Sequence, residues 1–334
     1  MAGGEGLDRF EDMVVRAAET TAGHIQAAKA AIGSVIFGQE KVVERALVTI
    51  LSGGHALLIG VPGLAKTKLV ETMGIVLGLD ARRIQFTPDL MPSDILGSEV
   101  LEEAAGGRRH FRFIPGPIFA QLLMADEINR ASPRTQSALL QAMQEQHVTV
   151  AGARHDLPRP FHVLATQNPL EQEGTYPLPE AQLDRFLMEI DVDYPDREAE
   201  RRILFDTTGA EETRPKPAMT AEDLQGAQRL VRRLPVGESV IEAILTLVRS
   251  ARPGPEGGEA AKAIAWGPGP RASQALMLAV RARALLEGRL APSIDDVAEL
   301  AEPVLKHRMA LSFAARAEGE TVSAVIGRLK ARLG

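Results

Sequence analysis

The chain has 334 residues, enough to bury a full core and, by length, to form two domains. Acidic residues outnumber basic ones 44 to 38, for a net charge of −6; such a chain is not built to coat nucleic acid indiscriminately, which needs clustered Lys and Arg. The absence of cysteine excludes disulfides, thiolate zinc sites and cysteine nucleophiles.

Met1-Ala-Gly-Gly-Glu-Gly lacks a basic region followed by an apolar one, so no signal peptide is expected. No apolar run approaches the roughly 18 residues that span a bilayer, and the expected location is the cytoplasm. From Asp8 to Ile32, apolar residues such as Met13, Ala17, Ile25 and Ala28 recur at near-helical spacing. This predicts an amphipathic helical lead-in over 1–34, divided at Gly23. A second helix follows over Glu40–Ser52.

Between Ala56 and Val192 lie five short apolar runs: 56–59, 83–86, 122–125, 161–165 and 186–192. Helix-like segments separate most of them, which predicts a parallel α/β sheet over 35–195. Ser132-Pro133 is a helix start, with a serine cap and proline at the first position. Two inserts interrupt the alternation, near 98–113 around Gly106-Gly107 and near 147–161 around Gly152, and both read as β-hairpins. After Tyr194-Pro195-Asp196 six helical segments follow with Pro and Gly between them, predicting a small, wholly helical second domain over 196–334.

The run Gly60-Val61-Pro62-Gly63-Leu64-Ala65-Lys66-Thr67 joins an apolar strand to a helix. Loops of this kind bind polyphosphate because backbone N–H groups and a helix N-terminus converge on the anion. Lys66 would meet the terminal phosphates and Thr67 would ligate magnesium. Ala65 stands where the general motif has a second glycine; it predicts negative φ there, with Gly63 taking the permissive turn. Leu122–Ala125 leads into Asp126-Glu127, two acids at the C-terminal end of a buried strand, where open α/β sheets bind ligands. Asp126 would support the metal and Glu127 would orient or deprotonate water. Together the two motifs predict hydrolysis of ATP or GTP.

Asn168 ends the fourth run, whose strand should lie beside the phosphate-loop strand. Its amide would help position the water. Arg185, just before the fifth run, suits either a surface ion pair or an arginine given to a neighbouring subunit's site. Arg271, after Gly267-Pro-Gly-Pro, could approach the γ-phosphate from the second domain, but the residues alone do not decide its role or that of Arg185.

The combination resembles the MoxR branch of the AAA+ ATPases. The matching stretches are Gly60–Thr67, Thr87–Gly97 (TPDLMPSDILG), Pro115–Phe119 (PGPIF), Leu122–Arg130 (LLMADEINR), Ser132–Glu145, Ala165–Pro169 (ATQNP) and Leu183–Phe186 (LDRF). The resemblance is specific over about 30–195, and the helical remainder is similar to the AAA lid. It implies a P-loop core with helices on both faces, ATP and Mg²⁺ as ligands, and a ring, by resemblance a hexamer. Lys66 and Thr67 become the Walker A pair, flanked by Lys68, and Asp126 and Glu127 the Walker B pair. Asn168 becomes sensor 1, Arg185 the arginine finger acting in trans, and Arg271 the sensor 2 arginine. The chain has Gly-Pro-Gly-Pro before Arg271 where the family usually has Gly-Ala-Ser-Pro. Val35, Ile36, Phe37 and Gly38 resemble the segment lining the adenine pocket. Family members remodel partner proteins, often ones with von Willebrand factor A domains, in assembling or activating complexes that include metalloenzymes. The alternative is a nucleic-acid-dependent motor of the same clade, for which Arg154, His155 and Arg159 on the second hairpin make a thin basic patch without an aromatic platform.

Overall fold

Five strands form one sheet: β1 (Ala56–Ile59), β2 (Ala81–Gln85), β3 (Leu122–Asp126), β4 (His162–Gln167) and β5 (Met188–Asp191), in the spatial order β2-β3-β4-β1-β5. The computed structural model describes residues 4–103, 109–171, 173–209, 213–254 and 258–333, with side chains from residue 19 onward. Every neighbouring pair of these strands is parallel, as strands joined by crossover helices must be. The inner strands β1, β3 and β4 are buried almost throughout, which is why their sequences are continuous apolar runs rather than alternating ones. Strand β2 is an edge, and of its Ala-Arg-Arg-Ile-Gln only Ile84 is buried.

Side chains leave the sheet alternately to two apolar clusters. Ala56, Leu58, Leu122, Met124 and Leu164 join one; Leu57, Leu123, Ala125, Val163 and Ala165 join the other. The first is shared with helices α1 (Gly4–Gly33), α2 (Glu40–Leu51) and α3 (Lys66–Val76), the second with α4 (Pro133–Glu145). Helix α4 starts where expected, with the Ser132 hydroxyl accepting the Thr135 N–H at 3.4 Å. Helix α1 runs unbroken through Gly23, contrary to the expected division. One interior glycine costs a helix only about 1 kcal/mol, and burial of Ile25, Ala28 and Ile32 offsets that.

Both inserts are antiparallel hairpins. Gly97–Glu103 pairs with Arg109–Pro115, and the Gly106-Gly107 turn lies outside the described residues. His147–Val150 pairs with Ala153–Asp156 around Ala151 and Gly152, both at positive φ. The Phe113 ring of the first stacks on the His155 ring of the second, 3.8 Å between centroids.

The C-terminal part contains α5 (Arg197–Thr208), α6 (Ala221–Val231), α7 (Glu238–Ser250), α8 (Pro270–Leu286), α9 (Ile294–Leu305) and α10 (Val322–Lys330). It is not wholly helical, because Ile264–Trp266 pairs with Ala310–Leu311 in a short antiparallel ribbon. Such short strands carry no periodic signal. Leu224, Leu247, Leu276 and Val297 belong to the same cluster as Leu58 and Met124, so these helices pack on the first face of the sheet. Arg308 locks this packing. It is 1% exposed, ion-pairs with Asp184 at 2.7 Å and donates to the carbonyls of Asp184, Phe186 and Leu187. The segment carrying Arg185 is thereby held rigidly. No helix among the described residues is long and apolar enough to cross a membrane.

Candidate nucleotide site

β1 ends at Ile59, the chain loops through Gly60–Ala65, and α3 begins at Lys66. A side chain at Gly60 would place its Cβ 2.5 Å from the carbonyl oxygen of Val192, the residue after β5, so only glycine fits there without a shift. Gly63 has φ 86°, but Ala65 also lies in the left-handed region at φ 57°, ψ 19°. The expectation of negative φ at Ala65 is therefore wrong. That conformation costs a non-glycine residue about 1–2 kcal/mol, strain of the kind held at functional sites by surrounding structure. It aims the first N–H groups of α3, which lack helical partners, at the loop's concavity.

The Lys66 ammonium donates to the Gly60 carbonyl and, at 2.9 Å, to that of Val61. Burial lowers its pKa, opposed by the charges of Asp126 and Glu127. Those acids, with Thr67, Lys68, Arg83, Gln85, Thr166 and Asn168, line one cavity of about 470 Å³. A Lys66→Ala protein is expected to bind a fluorescent ATP analogue about 10- to 100-fold more weakly, the worth of charge-assisted hydrogen bonds. Unchanged affinity in a direct titration would remove Lys66 from phosphate binding.

Asp126 ends β3 and is 8% exposed. Its Oδ1 accepts the Thr166 hydroxyl at 2.6 Å, and its Oδ2 accepts Nε and Nη2 of Arg83 at 3.1 and 2.5 Å. Glu127 follows at φ 56°, a left-handed turn that swings its side chain out of the strand. Its N–H donates to Thr166 Oγ1 at 2.9 Å, and its Oε2 accepts Gln85 Nε2 at 2.8 Å and Arg130 Nη1 at 3.1 Å. Strand β4 lies between β3 and β1, which brings Asn168 into the cavity. Its Oδ1 accepts the Leu170 N–H at 3.1 Å, an Asx turn that fixes the side chain.

A second cavity of about 440 Å³ shares Gly63, Leu64, Ala65 and Lys68 with the first and extends to Val35, Ile36, Phe37 and Ile203. Together they form one channel, polar at the loop and apolar beyond it. Phe37 lies under the Arg202 guanidinium of α5, 4.5 Å from its ring centroid. A Cβ at Gly38 would fall 2.4 Å from that of Ala199, so glycine lets α5 close on this segment.

Arg185 and Arg271 are not in this channel. Both line a separate cavity of about 220 Å³ with Ser52, Gly54, Asp184, Arg232 and Arg308. Gly54 and His55 precede β1 while the phosphate loop follows it, so the two sites lie at opposite ends of that strand. Arg271 Nη1 is 3.1 Å from Asp184 Oδ2. The fold thus does not carry Arg271 to its own chain's phosphate loop; α8 places it beside Asp184 and Arg185 instead.

The profile of the ATPase family associated with various cellular activities (AAA) matches residues 55–188, and that of the AAA lid domain matches residues 258–329. The chaperone MoxR1 of Mycobacterium tuberculosis is 43% identical over 297 residues, 88% of this chain and 78% of the relative. The chain belongs to the MoxR family of AAA+ ATPases. Protein MoxR of Paracoccus denitrificans is 34% identical over 303 residues, covering 85% of this chain and 88% of the relative. The crystal structure of a candidate ATPase from Cytophaga hutchinsonii superposes with a TM-score of 0.88 at 37% identity, over 98% of both chains.

Four residues of this MoxR site were not legible beforehand. Thr166 bridges the two acids, yet its motif read as a strand end. Arg83 and Gln85 lie in a run read only as a strand, and Arg130 followed the Walker B pair without a role. Each acts across the sheet or around a turn, where one chain's spacing gives no signal.

Proposed function

We propose that this chain is a magnesium-dependent ATPase whose turnover drives chaperone-like remodelling of partner proteins, working in the cytoplasm as a ring, by resemblance a hexamer. The observation that carries this reading is the placement of two half-sites at opposite ends of β1. Lys66, Asp126, Glu127 and Asn168 gather at one end, and Arg185 and Arg271 at the other. Head-to-tail packing in a ring would bring the arginines of one subunit to the phosphates held by its neighbour. Lys66 and the first N–H groups of α3 bind the phosphates, Asn168 orients a water, and Glu127 takes its proton.

The donor set fits magnesium, a hard cation that takes oxygen ligands and keeps few protein ones. Thr67 and Asp126 would hold it. When bound, the metal neutralises charge on the terminal phosphate oxygens. Among the described residues no cluster of three or more His, Cys, Asp or Glu could hold a metal; magnesium usually pairs one or two carboxylates with substrate phosphates, which nucleotide bound here would supply.

Client contact fits the first hairpin, where Leu101 and Phe111 are 51% and 67% exposed. The partner class suggested by the family is a protein with a von Willebrand factor A domain. The second hairpin gives a nucleic-acid motor little support, because Arg154 is paired with Asp156 at 2.8 Å and His155 is stacked on Phe113. The purified protein is expected to hydrolyse ATP with magnesium but not with EDTA, and to bind DNA or RNA weakly at physiological salt. Tight, salt-sensitive binding with nucleic-acid-stimulated turnover would replace the remodelling reading by the motor.

A further inference from the structure

Both carboxylate oxygens of Asp126 are already engaged by protein donors. Thr166 holds Oδ1 at 2.6 Å, and two nitrogens of Arg83 converge on Oδ2 at 3.1 and 2.5 Å. A carboxylate offers about four lone-pair sites; Thr166 takes one on Oδ1 while the two Arg83 nitrogens take both on Oδ2, so Oδ2 can meet a cation only once Arg83 yields. Thr166 is 1% exposed, and its oxygen also accepts the Glu127 N–H, so it is fixed. Arg83 stands on an edge strand with its side chain 48% exposed. It is the partner free to move.

We infer that Arg83 is a displaceable counter-cation of Asp126, which holds the carboxylate until magnesium arrives with the nucleotide and then gives it up. The inference rests on the nucleotide-site reading above. The charge bookkeeping supports it: the cavity holds two carboxylates, Asp126 and Glu127, and must receive a polyanion. Arg130 pairs with Glu127 at 3.1 Å and Arg83 pairs with Asp126, so each acid has its own counter-cation, and Lys66 and Lys68 in the same cavity meet the phosphates. Arg83 Nη2 also donates to Gln85 Oε1 at 2.8 Å, and Gln85 donates to Glu127. Movement of Arg83 is therefore felt at the group that takes the water's proton.

Such a residue has an effect that a structural ion pair lacks. Its loss shifts metal affinity and metal-free nucleotide affinity in opposite directions, because it competes with the cation and attracts the anion. The test uses the full chain as wild type, R83Q and R83K, with folding checked by thermal melting. Mn²⁺ is titrated into each protein's ATPγS complex and followed by electron paramagnetic resonance. A fluorescent ATP analogue is titrated separately in EDTA. For R83Q the half-saturating Mn²⁺ concentration is expected to fall roughly tenfold and metal-free affinity to weaken roughly tenfold, as for one charge-assisted bond at a half-exposed site. R83K, which cannot place two nitrogens on Oδ2, should shift Mn²⁺ the same way by less, and it decides the matter if R83Q does not fold. Unchanged or weaker Mn²⁺ affinity in the folded variants overturns the inference. Failure of the wild type to bind ATPγS would instead overturn the nucleotide-site reading itself.

Discussion

An Arg185→Ala protein is expected to bind ATP as tightly as the wild type while hydrolysing it about 10³–10⁵-fold more slowly, the worth of an arginine finger. The expectation follows from where the fold puts the residue. Arg185 lies beyond the N-terminal end of β1, and the phosphate loop lies beyond its C-terminal end, so the guanidinium makes no contact with its own chain's cavity. Its segment is nevertheless rigid, because buried Arg308 grips the backbone at Asp184, Phe186 and Leu187. A surface arginine with no partner to serve would not need such support. Equilibrium titration of the analogue together with steady-state phosphate release separates the two effects. Loss of affinity in parallel with loss of rate would mean that the substitution has damaged the fold. Near-normal turnover would remove Arg185 from catalysis.

A Glu127→Gln protein is expected to retain nucleotide and to turn it over about 10²–10⁴-fold more slowly, the range for loss of a general base. Glutamine is nearly isosteric, so the left-handed turn at residue 127 and its N–H bond to Thr166 should survive. What disappears is the carboxylate that can accept a proton. In the present geometry Gln85 and Arg130 both hold Oε2 of that carboxylate, which leaves Oε1 to accept a proton. Single-turnover rates with pre-bound ATP measure the step directly. Turnover close to wild type in a sample free of contaminating ATPase would exclude Glu127 as the base.

The parts of the site visible in the sequence are those whose signal is local. Gly60–Thr67 announces itself because strand, glycine-rich loop and helix start are consecutive. Asp126-Glu127 does so because two adjacent acids directly follow a continuous apolar run, at the strand end where open α/β sheets bind ligands. Asn168 needed one further step, that β4 pairs with β1, and the sheet has that pairing. Arg130 apart, which meets Glu127 only three residues away, the residues missed share the opposite property. Arg83 and Asp126 are 43 residues apart in sequence, Glu127 and Thr166 are 39 apart, and each pair meets only through the parallel sheet. Ala65 misled because steric preference argues against positive φ, while the surrounding loop over-determines the backbone. Arg271 misled because its motif lies in a helical segment whose docking position no periodicity encodes; packing on the first face of the sheet sets it.

Shared catalysis between subunits is tested most directly by mixing two impaired proteins, Lys66→Ala and Arg185→Ala, and measuring ATP hydrolysis. In a random equimolar ring about a quarter of the interfaces unite an intact Lys66 with a neighbour's intact Arg185. Hydrolysis by the mixture well above either protein alone, reaching a sizeable fraction of the wild-type rate, is the expected result. A mixture that stays as slow as its components, although mass spectrometry of the intact assemblies finds both variants in the same ring, would contradict a site completed by the neighbouring subunit.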